Sequence, residues 1–167
     1  MLRELHSELG IPESYADRLP RHAEARELVD AGVNLIGRQV QLGPEAHAAW
    51  LEMSRAALAD GITLLLISGF RSYEYQARLI RKKLNAGQAI GDILEVNAAP
   101  GYSEHHTGRA VDIASPGSRP LTEEFEASPA FAWLTANAGR FGFSLSYPRD
   151  NPYGLIYEPW HWAWHPV

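Results

Sequence analysis

The sequence contains no cysteine and very little lysine. The absence of cysteine among the 167 residues excludes disulfide scaffolds, thiol proteases, zinc ribbons and iron–sulfur sites. A metal ion would therefore be bound by histidine and carboxylate side chains. The only lysines are Lys82 and Lys83, and 15 basic residues against 20 acidic ones give a formal net charge of −5. A surface that neutralises nucleic-acid phosphates is therefore not expected.

Long apolar segments and several common catalytic motifs are also missing. The longest apolar run, Ile62 to Ile67, is far shorter than the roughly 20 residues that cross a bilayer. The charged start of the chain lacks the apolar core of a signal peptide. The sequence has no GxGxxG, P-loop, GxSxG, SxxK or HExxH motif, so nucleotide cradles and serine acyl-enzymes are not expected. We expect no membrane span and a cytoplasmic location if the chain is complete, or the cell envelope or exterior if a leader was removed.

The arrangement of predicted elements indicates one domain of α+β class. The patterns predict helices over 21–31, 44–61, 72–87 and 129–138, and strands over 33–42, 62–67, 110–114 and 143–147. No internal repeat or linker divides the chain, and the helices do not alternate regularly with the strands. We therefore expect a single domain over residues 1–167, with a central, mainly antiparallel sheet flanked by helices.

Four of the seven histidines lie in two tight clusters. In the first, His105 is followed seven residues later by Asp112, which lies in a predicted strand, so that a loop can fold back and bring imidazole and carboxylate together. Zinc accepts both ligand types, and a catalytic zinc characteristically has three protein ligands plus a water. The alternative for Asp112 is a structural salt bridge to Arg109 or another arginine.

The aromatic tail can supply a third ligand. As a strand with period two, it would place His161 on the face opposite to Trp160 and Trp162. Glu158 lies three residues before His161, where a general base beside an activated water is expected. We expect the surplus His106 and His165 to lie outside the metal sphere, and Trp162 and Trp164 to be packing residues.

Three ordered blocks resemble the signatures of the zinc D-alanyl-D-alanine carboxypeptidases of the vancomycin-resistance type. That family belongs to a wider group with lysostaphin-like peptidases and the Hedgehog signalling domain. The blocks are Ser68-Gly69-Phe70-Arg71-Ser72-x-x-x-Gln76, Ser103-x-His105-x-x-Gly108-x-Ala110-x-Asp112 and Glu158-Pro159-Trp160-His161-Trp162. The resemblance extends from about Ala48 to His165. Phe70 and His106 depart from the common family residues, but neither is an implied ligand.

The resemblance implies one zinc ion per chain. Its ligands would be His105, Asp112 and His161, and Glu158 would be the general base. The same match implies an α+β fold of the Hedgehog and D,D-peptidase type. It also divides the domain into an N-terminal helical accessory part at 1–45 and a catalytic core at 46–167.

The resemblance also implies substrate contacts. Arg71 would bind the terminal carboxylate of the substrate or polarise the scissile carbonyl, since a guanidinium pairs with a carboxylate through two hydrogen bonds. Gln76 and Ser103 would make further polar contacts, and Trp160 would line the pocket. The alternative for Arg71 is a surface ion pair with Glu74.

The implied activity is that of a D,D-carboxypeptidase, which removes the terminal D-Ala from peptidoglycan-type peptides as a monomer without nucleic-acid partners. A D,D-dipeptidase, an L,D-carboxypeptidase and a cell-wall endopeptidase are alternatives within the family. A non-catalytic zinc-binding recognition domain is the alternative from another class. Glu158 favours an enzyme, because a binding module has no need for a base beside an open metal position.

Overall fold

The computed structural model describes residues 1–167, with five α-helices, six strands and four short 3₁₀ helices. The helices are α1 (Leu2–Leu9), α2 (Pro44–Ala59), α3 (Tyr73–Asn85), α4 (Ile90–Val96) and α5 (Pro129–Asn137). The strands are β1 (Val29–Val33), β2 (Gln39–Leu42), β3 (Leu65–Ser68), β4 (Ala110–Ala114), β5 (Phe143–Leu145) and β6 (His161–Trp164). None of the helices has the length and apolar character that a bilayer span requires.

A four-stranded antiparallel sheet in the order β3-β4-β6-β5 forms the centre of the fold. All residues of β4 and β6 are buried. In their register, Val111 lies opposite Trp162 and Asp112 lies opposite His161. Because side chains alternate between the two faces of a strand, the apolar pair and the polar pair face opposite sides of the sheet. The predicted α+β class, with its antiparallel sheet, is confirmed.

The apolar side chains form two separate clusters. The first contains 17 buried residues, most of them from α2, α5 and the apolar faces of β4 and β6. The second contains 13 buried residues, most of them from α1, α3, α4 and the segments between these helices, and none from the four-stranded sheet. The polar face of β4 and β6 is thus free to form a site next to the second cluster.

Serine side chains cap the starts of two of the predicted helices. Ser72 Oγ accepts a hydrogen bond from Tyr75 N at 3.0 Å, and Ser128 Oγ accepts one from Phe131 N at 3.1 Å. Each bond satisfies an amide that has no partner inside its helix. The cap of α3 also fixes the direction in which the chain leaves β3, just after Arg71.

The predicted helix over 21–31 is wrong. His22 N donates to Gly101 O at 2.7 Å, and Ala25 N donates to His106 O at 2.8 Å. Glu24 Oε1 accepts a hydrogen bond from Tyr73 N at 2.5 Å. Backbone groups that a helix would have paired internally are thus bonded to loops distant in sequence, and these tertiary contacts override the local helix propensity.

The predicted strand over 33–42 is also wrong as a single element. It is a hairpin of β1 and β2, closed by a turn in which Asn34 N donates to Arg38 O at 2.9 Å and Gly37 has φ 77°.

Two other elements also differ from the prediction. The strand predicted at 62–67 lies slightly later, as β3, and α4 was not predicted. Before α2 begins at Pro44, the chain therefore contains one α-helix, one 3₁₀ helix and the hairpin rather than helices alone. The division between an accessory part at 1–45 and a catalytic core stays a prediction.

Gly69 is a position where the hairpin and the sheet edge come too close for a side chain. A Cβ there would lie 2.4 Å from Gln41 O and 2.9 Å from Val40 Cγ1. We expect Gly69→Ala to lower the free energy of unfolding by about 1 to 3 kcal/mol, as overpacking does, measured by urea denaturation. In the control Gly91→Ala a Cβ would meet nothing within 4 Å, so its stability should not fall. Equal stability of both variants would contradict the close packing.

Candidate metal centre

Three buried side chains converge on the polar face of the sheet. Asp112 lies in the middle of β4, and His161 begins β6 directly opposite. His105 lies in the 3₁₀ helix Glu104–Thr107, which Ser103 caps by accepting a hydrogen bond from His105 N at 3.3 Å. All three candidate ligands are no more than 3 % exposed. The strand register and one capped turn therefore bring the two sequence blocks together.

The separations of the two imidazole nitrogens from Asp112 match those around a tetrahedral metal ion. His105 Nε2 lies 3.2 Å and His161 Nδ1 lies 3.3 Å from Asp112 Oδ1. Ligand atoms at 2.0 to 2.2 Å around one tetrahedral zinc lie about 3.3 Å from one another. Asp112 Oδ1 is buried without a hydrogen-bond partner, although buried polar atoms normally have one. The donor set of two imidazoles and one carboxylate fits zinc.

The backbone fixes the orientation of the His105 ring. His105 Nδ1 lies 2.7 Å from Gly69 O. Since a carbonyl oxygen only accepts, Nδ1 carries the proton and the lone pair of Nε2 faces Asp112. A partner of this kind on the outer nitrogen is usual for metal-binding histidines.

Glu104 is a residue of the site that the sequence did not reveal. Its Oε2 lies 3.8 Å from His161 Nε2 and accepts a hydrogen bond from Ser146 Oγ at 3.0 Å. Burial disfavours its charge, but the His161 imidazole and the Ser146 hydroxyl lower the pKa of Glu104 to about 2. A charged carboxylate beside Nε2 favours a proton on that nitrogen and directs Nδ1 toward Asp112. The position of Glu104 next to His105 could have indicated a role at the site, but Glu104 occupies an unspecified position in the motif Ser103-x-His105.

Asp112 is also paired with an arginine. Arg71 Nη2 donates to Asp112 Oδ2 at 2.8 Å, so the arginine partner is Arg71 rather than Arg109. Glu74 lies 3.6 Å from Arg81 instead. Burial opposes the charge of Asp112, but the neighbouring His105 and Arg71 hold its pKa well below its usual range.

The site favours positive charge at His161. Burial alone would lower its pKa, but the nearby carboxylates of Asp112 and Glu104 raise it to about 10. Two carboxylates around one buried imidazole thus stabilise a cation. A metal ion carries charge of the same sign, so the electrostatics and the ligand geometry agree.

Glu158 lies just outside the group of three. Its Oε2 is 3.8 Å from His161 Nδ1, and its backbone N donates to Tyr147 O at 3.0 Å. Burial raises the pKa of Glu158 to about 7, an effect that the His161 charge only partly offsets. A carboxyl group with a pKa near neutrality is suited to accept and return a proton.

All eight residues predicted from the sequence line one cavity of about 350 Å³. They are Arg71, Gln76, Ser103, His105, Asp112, Glu158, Trp160 and His161. The Nε2 of Gln76 donates to Ala98 O at 2.8 Å, while its Oε1 is buried without a partner. Trp160 belongs to the first apolar cluster as well as to the cavity wall. Lys83, Asn97 and Tyr147 line the cavity but were not predicted.

The other histidines lie outside the group of three. His106 is fully buried, with Nδ1 2.6 Å from Arg71 O and Nε2 accepting a hydrogen bond from Gly101 N at 3.1 Å. It therefore connects two loops, as expected for a structurally bonded histidine. His165 is exposed at the end of β6.

Comparisons with known proteins agree with this geometry. A D-alanyl-D-alanine carboxypeptidase from Enterococcus faecium is 31 % identical over 138 residues, which are 81 % of this chain and 41 % of that protein. The chain thus spans less than half the length of that relative. The structure of the LdcB LD-carboxypeptidase matches with a TM-score of 0.75 at 32 % identity, covering 87 % of this chain and 71 % of the other. That structure is described as revealing the molecular basis of peptidoglycan recognition.

A vancomycin-resistance D,D-pentapeptidase of the VanY type, in complex with Zn(II), matches with a TM-score of 0.64 at 27 % identity, covering 88 % of this chain and 82 % of the other. The family model for VanY, D-alanyl-D-alanine carboxypeptidase, matches residues 39–167. That span includes every side chain described above as converging on the cavity. The chain therefore belongs to the VanY family of D-alanyl-D-alanine carboxypeptidases.

Proposed function

We propose that this chain is a zinc-dependent D,D-carboxypeptidase that hydrolyses the terminal D-Ala-D-Ala bond of peptidoglycan-type peptides. The observation that carries the proposal is the convergence of His105, Asp112 and His161 beside Glu158 in one cavity. The activity of the Enterococcus faecium relative and the Zn(II) in the related D,D-pentapeptidase support it. Since one chain supplies every residue of the site, we propose that the monomer is active.

His105, Asp112 and His161 would hold the zinc ion. When bound, zinc supplies Lewis-acid activation of the attacking water and of the scissile carbonyl. Glu158 takes the proton from that water, since its raised pKa lets it hold a proton near neutral pH. It then returns the proton to the nitrogen of the departing D-Ala. We thus propose for Glu158 the general-base role that the sequence led us to expect.

We propose that Arg71 stabilises negative charge on the substrate carbonyl oxygen. Its guanidinium is held by Asp112 and has a side chain 17 % exposed, and the residue lines the cavity. A fixed cation beside a developing oxyanion lowers the barrier without reorganising during the reaction. We therefore propose carbonyl polarisation as the role of Arg71, with binding of the terminal carboxylate as the alternative.

Gln76, Ser103 and Trp160 would orient the peptide. The free Oε1 of Gln76 can accept a hydrogen bond from a substrate N–H, which would also satisfy a buried acceptor. The Ser103 side chain already caps the turn that carries His105, so we propose that it contacts substrate from a fixed position. Trp160 offers an apolar wall for alanine methyl groups.

The catalytic part of the chain would be residues 46–167, with 1–45 as the accessory part. Contacts of the accessory part support a bracing role. Glu24 bonds the first amide of α3, and Ala25 bonds His106 O, next to a proposed ligand. We therefore propose that the accessory part holds α3 and the turn at His105 together without contributing to the chemistry.

A second candidate is an L,D-carboxypeptidase, favoured by the similarity to the LdcB LD-carboxypeptidase. The same residues would perform the same hydrolysis on a peptide ending in a single D-residue after an L-residue. A D,D-dipeptidase, a cell-wall endopeptidase and a zinc-binding recognition domain are also tested below.

Removal of one proposed ligand should remove the metal. We expect His105→Ala to lose bound zinc on dialysis and to lose peptide hydrolysis, because two remaining ligands do not hold the ion. Zinc content is measured by elemental analysis and folding by circular dichroism. The matched control is His165→Ala, at an exposed histidine just after β6, which should keep zinc and activity. Retention of zinc by a folded His105→Ala variant would refute the ligand assignment.

Glu158→Gln should separate metal binding from catalysis. The amide cannot accept the proton, so we expect kcat to fall about 100- to 10,000-fold while zinc content stays unchanged. Steady-state kinetics and elemental analysis on the same sample provide both readouts. Normal turnover in the zinc-loaded variant would show that Glu158 is not the base.

The products identify the reaction within the family. Mass spectrometry after incubation with a pentapeptide ending in D-Ala-D-Ala, a tetrapeptide ending in one D-Ala, and the free dipeptide should show loss of one D-Ala from the pentapeptide alone. Cleavage of the tetrapeptide would indicate an L,D-carboxypeptidase, and cleavage of the dipeptide a dipeptidase. Release of an internal fragment would indicate an endopeptidase. Zinc binding without any hydrolysis would indicate a recognition domain.

A further inference from the structure

Arg71 and Lys83 are the only lysine or arginine side chains that line the cavity. The charge of Arg71 is paired with Asp112. Lys83 forms no ion pair with any carboxylate of the chain. Its ammonium donates to Asn97 Oδ1, a neutral acceptor that leaves the positive charge uncompensated.

Lys83 lies in the last turn of α3, seven residues after Gln76. That interval is about two helical turns, or about 10 Å along the axis, so both side chains are on the same side of the helix. Between them, Ile80 is fully buried in the second apolar cluster. The cavity wall along α3 thus runs from a buried amide at one end to an unpaired ammonium at the other.

Leaving a partly buried ammonium unpaired is unfavourable. Partial burial lowers the pKa of Lys83, because water solvates its charge less well than on an open surface. Asn97, which ends α4, holds the ammonium in place through its side-chain oxygen. A carboxylate would compensate the charge and use the donors that Asn97 leaves free.

We propose that Lys83 and Asn97 form a carboxylate-binding subsite at the end of the cavity lined by the last turn of α3. This inference rests on the proposed peptidase function and names the substrate class as a peptide with an anionic group at that end. The rise of about 10 Å along the axis of α3 from Gln76 to Lys83 corresponds to about three residues of an extended peptide. The carboxylate can be the α-carboxylate at the C-terminus or an acidic side chain before the scissile bond.

Four peptides ending in D-Ala-D-Ala distinguish these two sources. They combine an acidic residue or its side-chain amide, placed before the alanines, with a free or an amidated C-terminus. The variants are Lys83→Met, which keeps an unbranched chain but removes the charge, and Lys83→Arg, which restores a cation. The control is Lys82→Met, because Lys82 is exposed on the same turn.

If the subsite binds one carboxylate of the peptide, replacing Lys83 should lower kcat/KM only for peptides that carry that carboxylate. Lys83→Met should lower kcat/KM about 10- to 100-fold for the peptides that carry the recognised carboxylate, as loss of a charge-assisted hydrogen bond does. It should leave the matching amide peptides within about twofold, and Lys82→Met should change neither. Lys83→Arg should recover part of the loss. A loss equal for all four peptides, or no loss at all, would overturn the subsite.

Binding measurements keep this outcome separate from failure of the proposed function. Titration calorimetry with the four peptides on Glu158→Gln, alone and combined with Lys83→Met, measures Kd without turnover. If Lys83→Met weakens binding only of the peptides that carry one particular carboxylate, the subsite is supported even when the unmodified chain hydrolyses none of the peptides. Absence of hydrolysis would then reject only the peptidase function. Hydrolysis by the unmodified chain with equal Kd values for acid and amide peptides would reject only the subsite.

Discussion

One buried carboxylate organises the site. The two oxygens of Asp112 have different partners, with Oδ2 bonded to Arg71 and Oδ1 facing His105 and His161. A buried carboxylate is strongly unfavourable unless its charge is balanced. Because Asp112 lies in β4, its partners must come from neighbouring elements. They come from β6, from the turn before β4 and from the segment that follows β3. The antiparallel register of β4 and β6 places His161 directly opposite Asp112.

The turn before β4 depends on contacts that bring distant loops together. His105 bonds the carbonyl of Gly69, and its neighbour His106 bonds the carbonyl of Arg71. The end of β3 and the 3₁₀ helix are thus joined by two consecutive imidazoles. The lack of space for a side chain at Gly69 follows from the same arrangement, because this segment is also held against the hairpin at Gln41.

The sequence predicted the parts of the structure that local chemistry determines. The helices expected at 72–87 and 129–138 and the strand expected at 110–114 each depend on neighbouring residues, and each is found close to its predicted position. The three family blocks predicted the eight residues that the cavity brings together. The helix predicted at 21–31 failed because its amides bond to Gly101 and His106, which are distant in sequence. Glu104 and Lys83 were missed for the same reason, since only the folded chain brings them to His161 and to the cavity.

The walls of the cavity come from two parts of the molecule. The candidate metal ligands belong to β4, β6 and the turn before β4, whereas Gln76 and Lys83 belong to α3, which packs in the second apolar cluster. No strand of the four-stranded sheet contributes a residue to that cluster. Substitutions along α3 can therefore alter the shape and charge of one wall while the ligand group keeps its own support. The proposed substrate contacts on α3 and the candidate metal ligands thus lie in separable stretches of the chain, so one set can diverge among relatives while the other is retained.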